Sequence, residues 1–411
     1  MTTSWIAEFP GRLADLQLQH QLRERRVVEP QTGAYLQING KRLLAFCSND
    51  YLGLAQHPAL IEAACDGAQR YGVGAGASPL VSGHTAANDA LEHALACFVG
   101  LPRALYFYAG YSANTGIVPA LVNKGDTIFS DALNHACLID GARLSGAQIH
   151  RFAHGDLAAL EAQLLGSSAP RKLIMSDAVF SMDGAIANIP GLLRLAERFD
   201  ALLLLLDDAH GFGVLGPQGR GALAQFGLMG ANASPRVLCM ATLGKAAGVA
   251  GAFVAGPTAL IEWLMQTTRS YVFATAAPAM LASALSASLE LIEHGDDLRT
   301  HLNQLIARLR STLAAGLAGS GWRLGESTTA IQPLVIGAND AAMAVMDGLR
   351  QRGLWVPAIR PPTVAPGTAR LRIALSAAHT IADVDRLVTA LIEMAAALPA
   401  CDAGKTTAPS R

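Results

Sequence analysis

Two short apolar runs stand out in the pattern of hydrophobic and polar positions. The first extends from Leu202 to Leu206 and ends in Asp207, and the second extends from Val237 to Ala241. A short unbroken apolar run that ends in polar residues is typical of a strand buried on both faces of a sheet. Ligands of open α/β sheets bind beyond the carboxyl ends of the strands. The pattern therefore predicts that the chemistry takes place where these two runs end.

Similar runs alternate with helical periodicity from about residue 60 to residue 280. The other predicted strands of this region are Ala104–Tyr108, Thr127–Ser130, Gln148–Phe152 and Lys172–Ser176. The predicted helices are His57–Tyr71, Asn88–Phe98 and Gly191–Phe199. This alternation indicates an α/β fold with a mostly parallel, doubly wound central sheet and helices on both faces.

The two ends of the chain predict additional structure. An amphipathic helix should start after Pro10-Gly11, which should break any earlier helix, and a hairpin should turn at Asn39-Gly40 between Tyr35–Ile38 and Arg42–Phe46. After a helix at Met280–His294, a small α+β domain is expected. Its predicted strands and helices are Ala330–Ile336, Ala341–Arg352, Leu354–Ile359, Leu371–Ala374 and Ile381–Leu398. We therefore expect an N-terminal arm at 1–55, a large domain at 56–285, a small domain at 286–400 and a disordered tail at 401–411.

Composition excludes several classes of protein. The chain has 411 residues, of which 51% are hydrophobic, and its net charge of −1 offers no basic field to attract nucleic acid. No apolar run reaches the length of a membrane-spanning helix. The cysteines are far apart and lack the spacing of a zinc site. These features predict a cytoplasmic protein with reduced thiols and no metal, nucleic acid or membrane partner.

The residues that follow the two apolar runs suggest a cofactor. Asp207 and His210 follow the first run, and Lys245 follows the second. Pyridoxal phosphate needs a lysine that forms a Schiff base with its aldehyde and a carboxylate beside its pyridine nitrogen. We therefore expect Lys245 and Asp207 to serve this cofactor, with His210 near the ring hydroxyl. A strand that ends in solvated acids, together with a surface lysine, is the alternative interpretation.

A glycine turn between a strand and a helix is a second candidate. Ala109-Gly110-Tyr111 opens a helix, so that its N–H groups and the helix dipole can face a phosphate. The segment has neither the lysine of a Walker loop nor the glycines of a Rossmann fingerprint. His135 either lies on a cofactor ring or is an ordinary loop histidine. Ser181 either binds the cofactor or caps a turn.

Three arginines are candidates for anion binding. Arg23 belongs to a basic segment at the end of the first predicted helix. The helix dipole also favours cations at that end, with or without a bound anion. Arg360 and Arg372 flank a proline-rich segment, and guanidinium groups placed there can hold a carboxylate. Surface arginines without a ligand are the alternative interpretation.

Four motifs resemble the α-oxoamine synthases, which are pyridoxal phosphate enzymes of the aspartate-aminotransferase fold type. The resemblance covers about residues 20–395. The motifs are Ser48-Asn49-Asp50-Tyr51-Leu52-Gly53-Leu54, Val179-Phe180-Ser181-Met182-Asp183-Gly184, Asp207-Asp208-Ala209-His210-Gly211 and Thr242-Leu243-Gly244-Lys245. The chain departs from the family at Asp177, where glutamate is frequent, and at Ala246-Ala247, where the pair is often bulkier.

The resemblance implies a role for each candidate. The cofactor-binding set is Gly110, Tyr111, Ser181, Asp207, His210, Thr242 and Lys245. The catalytic set is Lys245, which forms the Schiff base and moves protons, together with His135, Asp207 and His210. Thr242 should reach the phosphate, and His135 should stack on the ring. The substrate-binding set is Arg23, Asn49, His135, Arg360, Thr363 and Arg372, of which Arg372 should take the amino acid carboxylate.

Two further segments favour one kind of family member. Arg151-Phe152-Ala153-His154 and Ala358-Ile359-Arg360-Pro361-Pro362-Thr363-Val364 resemble an enzyme that condenses L-alanine with a pimeloyl thioester, carried by CoA or by acyl carrier protein. A homodimer is implied, with Ser82-Gly83-His84-Thr85 as a candidate to cross the interface. The nearest alternative is a sister enzyme that uses glycine or serine with another acyl-CoA. A nicotinamide dehydrogenase is disfavoured, because the glycine fingerprint of such enzymes is missing from this sequence. A non-catalytic subunit is disfavoured as well, because it should lack Lys245.

Overall fold

The structure is a computed structural model that describes residues 5–19, 21–23, 25–201 and 203–397. The strands are β1 (Val28–Thr32), β2 (Tyr35–Ile38), β3 (Lys41–Ala45), β4 (Arg103–Phe107), β5 (Thr127–Asp131), β6 (Gln148–Phe152), β7 (Lys172–Asp177), β8 (Leu203–Asp207), β9 (Val237–Thr242), β10 (Ala252–Gly256), β11 (Arg323–Leu324), β12 (Ile331–Gly337), β13 (Leu354–Trp355), β14 (Ala358–Ile359) and β15 (Ala369–Ala374). The helices are α1 (Phe9–Leu18), α2 (Pro58–Tyr71), α3 (Ala86–Phe98), α4 (Gly110–Leu121), α5 (Ala136–Ser145), α6 (Leu157–Leu165), α7 (Ile189–Arg198), α8 (Ala222–Gln225), α9 (Thr258–Thr267), α10 (Arg269–Val272), α11 (Ala279–Glu293), α12 (Asp296–Gly316), α13 (Asn339–Gln351) and α14 (Ile381–Ala397).

The chain divides into two compact units. The larger comprises Asn49–Ser181 and Ala185–His301, and the smaller comprises the residues up to Ser48, Met182–Gly184 and the residues from Leu302 onward. The domain division expected from the sequence stays a prediction. The tail at 401–411 lies outside the described residues.

A seven-stranded sheet forms the core of the larger unit, in the order β4-β10-β9-β8-β7-β5-β6. The pairs from β9 to β6 are parallel, whereas β10 is antiparallel to both of its neighbours. The apolar runs fill the interior, with Leu205, Leu238 and Met240 fully buried. The predicted α/β class with a mostly parallel central sheet is confirmed.

The smaller unit contains two four-stranded sheets, β1-β2-β3-β13 and β11-β12-β15-β14. The predicted hairpin is present, because β2 pairs antiparallel with β3 and both Asn39 and Gly40 have positive φ. The single predicted strand Leu354–Ile359 is wrong. Its halves, β13 and β14, pair in different sheets with β3 and β15, and Pro357 between them cannot donate a backbone hydrogen bond to a sheet.

The N-terminal helix starts earlier than predicted. Helix α1 includes Pro10 and Gly11 in its first turn, where the N–H that proline lacks has no helical partner in any case. The helix ends at Leu18, so Arg23 lies beyond its last turn and not within it. No helix formed by the described residues is long and apolar enough to cross a membrane.

Candidate active site

A pocket lies in the larger unit at the carboxyl ends of β7, β8 and β9. Its lining consists of Gly110, Tyr111, His135, Cys137, Asp177, Val179, Ser181, Asp207, Ala209, His210, Met240, Thr242 and Lys245. Every residue predicted to bind the cofactor is in this lining, as is His135. The pocket forms there because parallel strands end at the same edge of the sheet and their connecting loops meet above it.

Asp207 ends β8 and is held at both of its carboxylate oxygens. Oδ1 accepts a hydrogen bond from the backbone N–H of Ala209 at 3.0 Å, and Oδ2 accepts one from Nδ2 of Asn114 at 2.7 Å. Asp207 is 5% exposed and Asn114 is completely buried. Two donors on a buried carboxylate fix its orientation.

His135 precedes α5 and is anchored by the first turn of that helix. Its Nδ1 accepts a hydrogen bond from the backbone N–H of Cys137 at 3.3 Å and lies 2.8 Å from the Cys137 thiol. Burial lowers the pKa of His135, the charge of Asp207 opposes this shift, and the charge of Lys245 adds to it. A neutral imidazole is therefore expected at neutral pH, and a neutral ring is suited to packing against an aromatic cofactor.

Asp177 ends β7 directly opposite Asp207 in the strand register. Its Oδ2 accepts a hydrogen bond from the backbone N–H of His135 at 3.1 Å, and its Oδ1 is buried with no partner among the described residues. Burial raises the pKa of Asp177 well above its usual value, and the charge of Asp207 raises it further. The shorter acid at this position thus supports the His135 backbone, and its surroundings disfavour its charged form.

The start of α4 lies against the end of β9. A Cβ atom added at Gly110 would lie 2.4 Å from Cγ2 of Thr242, so glycine is required for this close approach. The hydroxyl of Thr242 is buried without a hydrogen-bond partner among the described residues. The first N–H groups of a helix have no partner within it, so these amides and the Thr242 hydroxyl together suit a phosphate.

Lys245 lies in the turn after β9, where the backbone N–H of Gly248 donates to its carbonyl at 2.8 Å. Lys245 lines the pocket, and the charge of its amine lowers the pKa of both His135 and Asp177. His210 lines the pocket as well, and its Nδ1 lies 2.6 Å from the hydroxyl of Tyr51.

These observations fit pyridoxal phosphate. The Thr242 hydroxyl and the α4 amides suit its phosphate, the Asp207 carboxylate suits its pyridine nitrogen, and the Lys245 amine suits its aldehyde. No group of three or more His, Cys, Asp or Glu side chains in the described part of the chain is arranged to hold a metal ion.

The other predicted substrate residues are distributed over both units. Asn49 belongs to the larger unit, where its Oδ1 lies 3.2 Å from the Tyr51 hydroxyl. Arg372 lies on β15 in the smaller unit and is 6% exposed, and its charge lowers the pKa of Cys47 against the larger opposing effect of burial. Arg360 is half-buried after β14, and its carbonyl accepts a hydrogen bond from the backbone N–H of Thr363. Arg23 is exposed.

The sequence did not single out Asn114, Cys137 or Tyr51 as residues that support the site. Asn114 and Cys137 lie inside helices, where one polar residue on an apolar face carries no recognisable spacing. Tyr51 lies in the Ser48–Leu54 motif, so that motif could have indicated a role for it. Its contact with His210 could not be predicted, because the two residues are distant in sequence.

Fold and pocket together define a class of pyridoxal phosphate enzyme. A family model described as aminotransferase class I and II matches residues 41–391. The chain belongs to this family, and its cofactor is pyridoxal phosphate.

Comparison with individual proteins narrows the class. An 8-amino-7-oxononanoate synthase from Polaromonas sp. is 75% identical over 96% of this chain and 97% of its own length. A solved 8-amino-7-oxononanoate synthase from Francisella tularensis is 30% identical, with a TM-score of 0.75 over 86% of this chain and 98% of that chain. A serine palmitoyltransferase from S. paucimobilis, solved with bound PLP and myriocin, is 28% identical, with a TM-score of 0.87 over 96% of this chain and 99% of that chain. Within its family, the chain belongs with the 8-amino-7-oxononanoate synthases.

Proposed function

We propose that the protein condenses L-alanine with a pimeloyl thioester to give 8-amino-7-oxononanoate, CO2 and the free thiol, a step of biotin biosynthesis. The observation that carries the proposal is the pocket that joins Lys245 and Asp207, in a chain 75% identical to a synthase of that name. The atoms of substrates and products balance. Alanine supplies the amine and the carboxylate that is lost as CO2, and the thioester supplies the acyl carbonyl and the leaving thiol.

Bound pyridoxal phosphate supplies an electron-accepting ring that makes loss of a proton from the alanine Cα feasible. The Asp207 carboxylate, fixed by Asn114 and the Ala209 amide, keeps a proton on the ring nitrogen. Lys245 takes the Cα proton and later returns one to the same carbon of the product. Gly110, Tyr111 and Thr242 hold the phosphate side, while His135 packs on the ring and Ser181 and His210 contact it.

Residues outside the pocket lining complete the proposal. Arg372 holds the alanine carboxylate, because a buried guanidinium is a strong bidentate partner for such a group. Asn49 also faces the amino acid, and Arg23, Arg360 and Thr363 line the path of the acyl substrate. An arginine on the acyl side suits pimeloyl in particular, since its far end carries a second carboxylate.

We also propose that the enzyme is a cytoplasmic homodimer. The described cysteines are all free thiols, as expected in a reducing compartment. Helix α1 buries none of its residues and exposes 79% of Leu18. In the larger unit, Val81 is 78% exposed and Phe273 is 71% exposed, on segments joined by a hydrogen bond from the Ala276 N–H to the Ala77 carbonyl at 2.9 Å. Exposed apolar groups of this size are typical of protein interfaces.

A product assay tests the function and separates it from a sister activity. The purified protein is given alanine, glycine or serine with pimeloyl-CoA, pimeloyl-acyl carrier protein or palmitoyl-CoA. We expect kcat/KM for alanine to exceed that for glycine by about 10- to 200-fold, the usual discrimination for one methyl group. Preferred use of palmitoyl-CoA with serine, the pairing suggested by the name of the serine palmitoyltransferase neighbour, would overturn the proposal.

A further inference from the structure

Tyr51 and His210 form a buried hydrogen-bonded pair in the larger unit. The Tyr51 hydroxyl lies 2.6 Å from His210 Nδ1, and the two residues are 1% and 8% exposed. The same hydroxyl lies 3.2 Å from Asn49 Oδ1. A phenol has one proton to donate, so the imidazole nitrogen and the amide oxygen compete for it.

The geometry favours the imidazole as acceptor. The contact with Nδ1 is the shorter of the two, and short contacts are typical of a hydroxyl that donates to a strong acceptor. An unprotonated imidazole nitrogen is also a stronger base than an amide oxygen. We propose that Tyr51 is a positioning residue that donates its proton to His210 Nδ1 and thereby keeps the proton of the neutral imidazole on Nε2.

This tautomer determines what His210 presents to the pocket. The identity of the protonated nitrogen in a histidine is set by the hydrogen bond that the other nitrogen makes. With Nδ1 engaged by Tyr51, Nε2 acts as a donor toward an oxygen of the ligand. The consequence rests on the proposed contact between His210 and the cofactor ring oxygen, and it is independent of which amino acid or thioester reacts.

Two hydroxyl deletions test the proposal. Tyr51→Phe removes the donor and keeps the ring. Tyr106→Phe is the matched control, because the Tyr106 hydroxyl is also buried but has no hydrogen-bond partner among the described residues. Nitrogen NMR of ¹⁵N-histidine-labelled protein without cofactor reports the tautomer directly. Since the chain has 11 histidines, the His210 signals are assigned by their loss in His210→Gln.

We expect wild-type His210 to be protonated at Nε2 and unprotonated at Nδ1. Tyr51→Phe should shift both ring-nitrogen signals and weaken pyridoxal phosphate binding by about 2- to 10-fold, the range for one hydrogen bond. The pH at which the absorption band of the bound cofactor changes should also move by about half a unit to one unit. Tyr106→Phe should leave all three measurements unchanged.

Two results would overturn the proposal. One is a wild-type protein with its proton on Nδ1, a result that does not depend on whether Tyr51→Phe folds. The other is an equal effect of Tyr51→Phe and Tyr106→Phe, which would indicate a general loss of packing. Failure of the alanine product assay would contradict the proposed function and leave the tautomer result intact, so the two can be judged separately.

Discussion

Burial raises the pKa of two acidic residues close to Asp207. Asp208, the residue after Asp207, has its pKa raised to about 8, chiefly by burial. Asp177 is also raised well above its usual value by burial and by the charge of Asp207. Burial and the charge of Asp207 thus both disfavour a second negative charge at Asp177 in the pocket.

Glu92 is a buried acid outside the site. Its Oε1 accepts a hydrogen bond from the backbone N–H of Tyr106 at 2.8 Å, on β4 at the edge of the seven-stranded sheet. Burial raises its pKa to about 7, against the opposing effects of the Tyr106 hydrogen bond, His84 and Arg103. The folded state therefore binds this proton more tightly than the unfolded state does.

We predict that this residue makes the protein less stable as the pH rises. Its contribution is complete below the unfolded pKa of 4.5, is lost as the pH rises through about 7, and then stays constant. The loss should approach about 3 kcal/mol of unfolding free energy. Glu92→Gln keeps an oxygen acceptor for Tyr106 and should flatten the stability profile measured by denaturant unfolding between pH 5 and pH 8. Glu62→Gln, at an exposed position on α2, is the control, and an unchanged profile in Glu92→Gln would contradict the assignment.

Elements with a strong local signal were predicted within a few residues. Such signals depend only on residues that are close in sequence. Examples are the apolar runs of β8 and β9, the Asn39-Gly40 turn and the glycine at the start of α4. Strand β10 and helix α12 were missed. Strand β10 is a short Ala- and Gly-flanked run whose antiparallel place depends on β4 and β9. The signal for α12 was present, because Leu302, Leu305, Leu309 and Leu313 recur at helical spacing and are buried.

The residues of the site also fall into a predictable group and an unpredictable group. Residues at strand ends, such as Asp207 and Lys245, were predictable because a parallel sheet brings its carboxyl ends together. The contacts that helix residues make with the site were not predictable, because they depend on how closely the helices pack. Helices α4 and α5 approach so closely that a Cβ at Gly141 would lie 2.7 Å from the backbone oxygen of Asn114. That approach brings Asn114 to Cys137 and Asp207, and no local pattern encodes it.

Assembly is the first property of the whole molecule to test. If the surface around Val81 is covered by a second copy, sedimentation should give twice the mass of the chain at micromolar concentration. Val81→Asp should weaken the association by about tenfold or more, because it places a charge in an apolar contact. Leu165→Asp, at a position 65% exposed at the end of α6, should leave it unchanged. A monomer at every concentration would contradict the homodimer.

The covalent attachment of the cofactor to Lys245 is the central claim, and it can be measured directly. Borohydride reduction of the protein loaded with pyridoxal phosphate, followed by digestion and mass spectrometry, locates the bond between cofactor and chain. We expect one adduct, on Lys245. It should be lost in Lys245→Ala together with product formation and kept in Lys124→Ala, at an exposed lysine. An adduct on another lysine, or full turnover by Lys245→Ala, would contradict this claim.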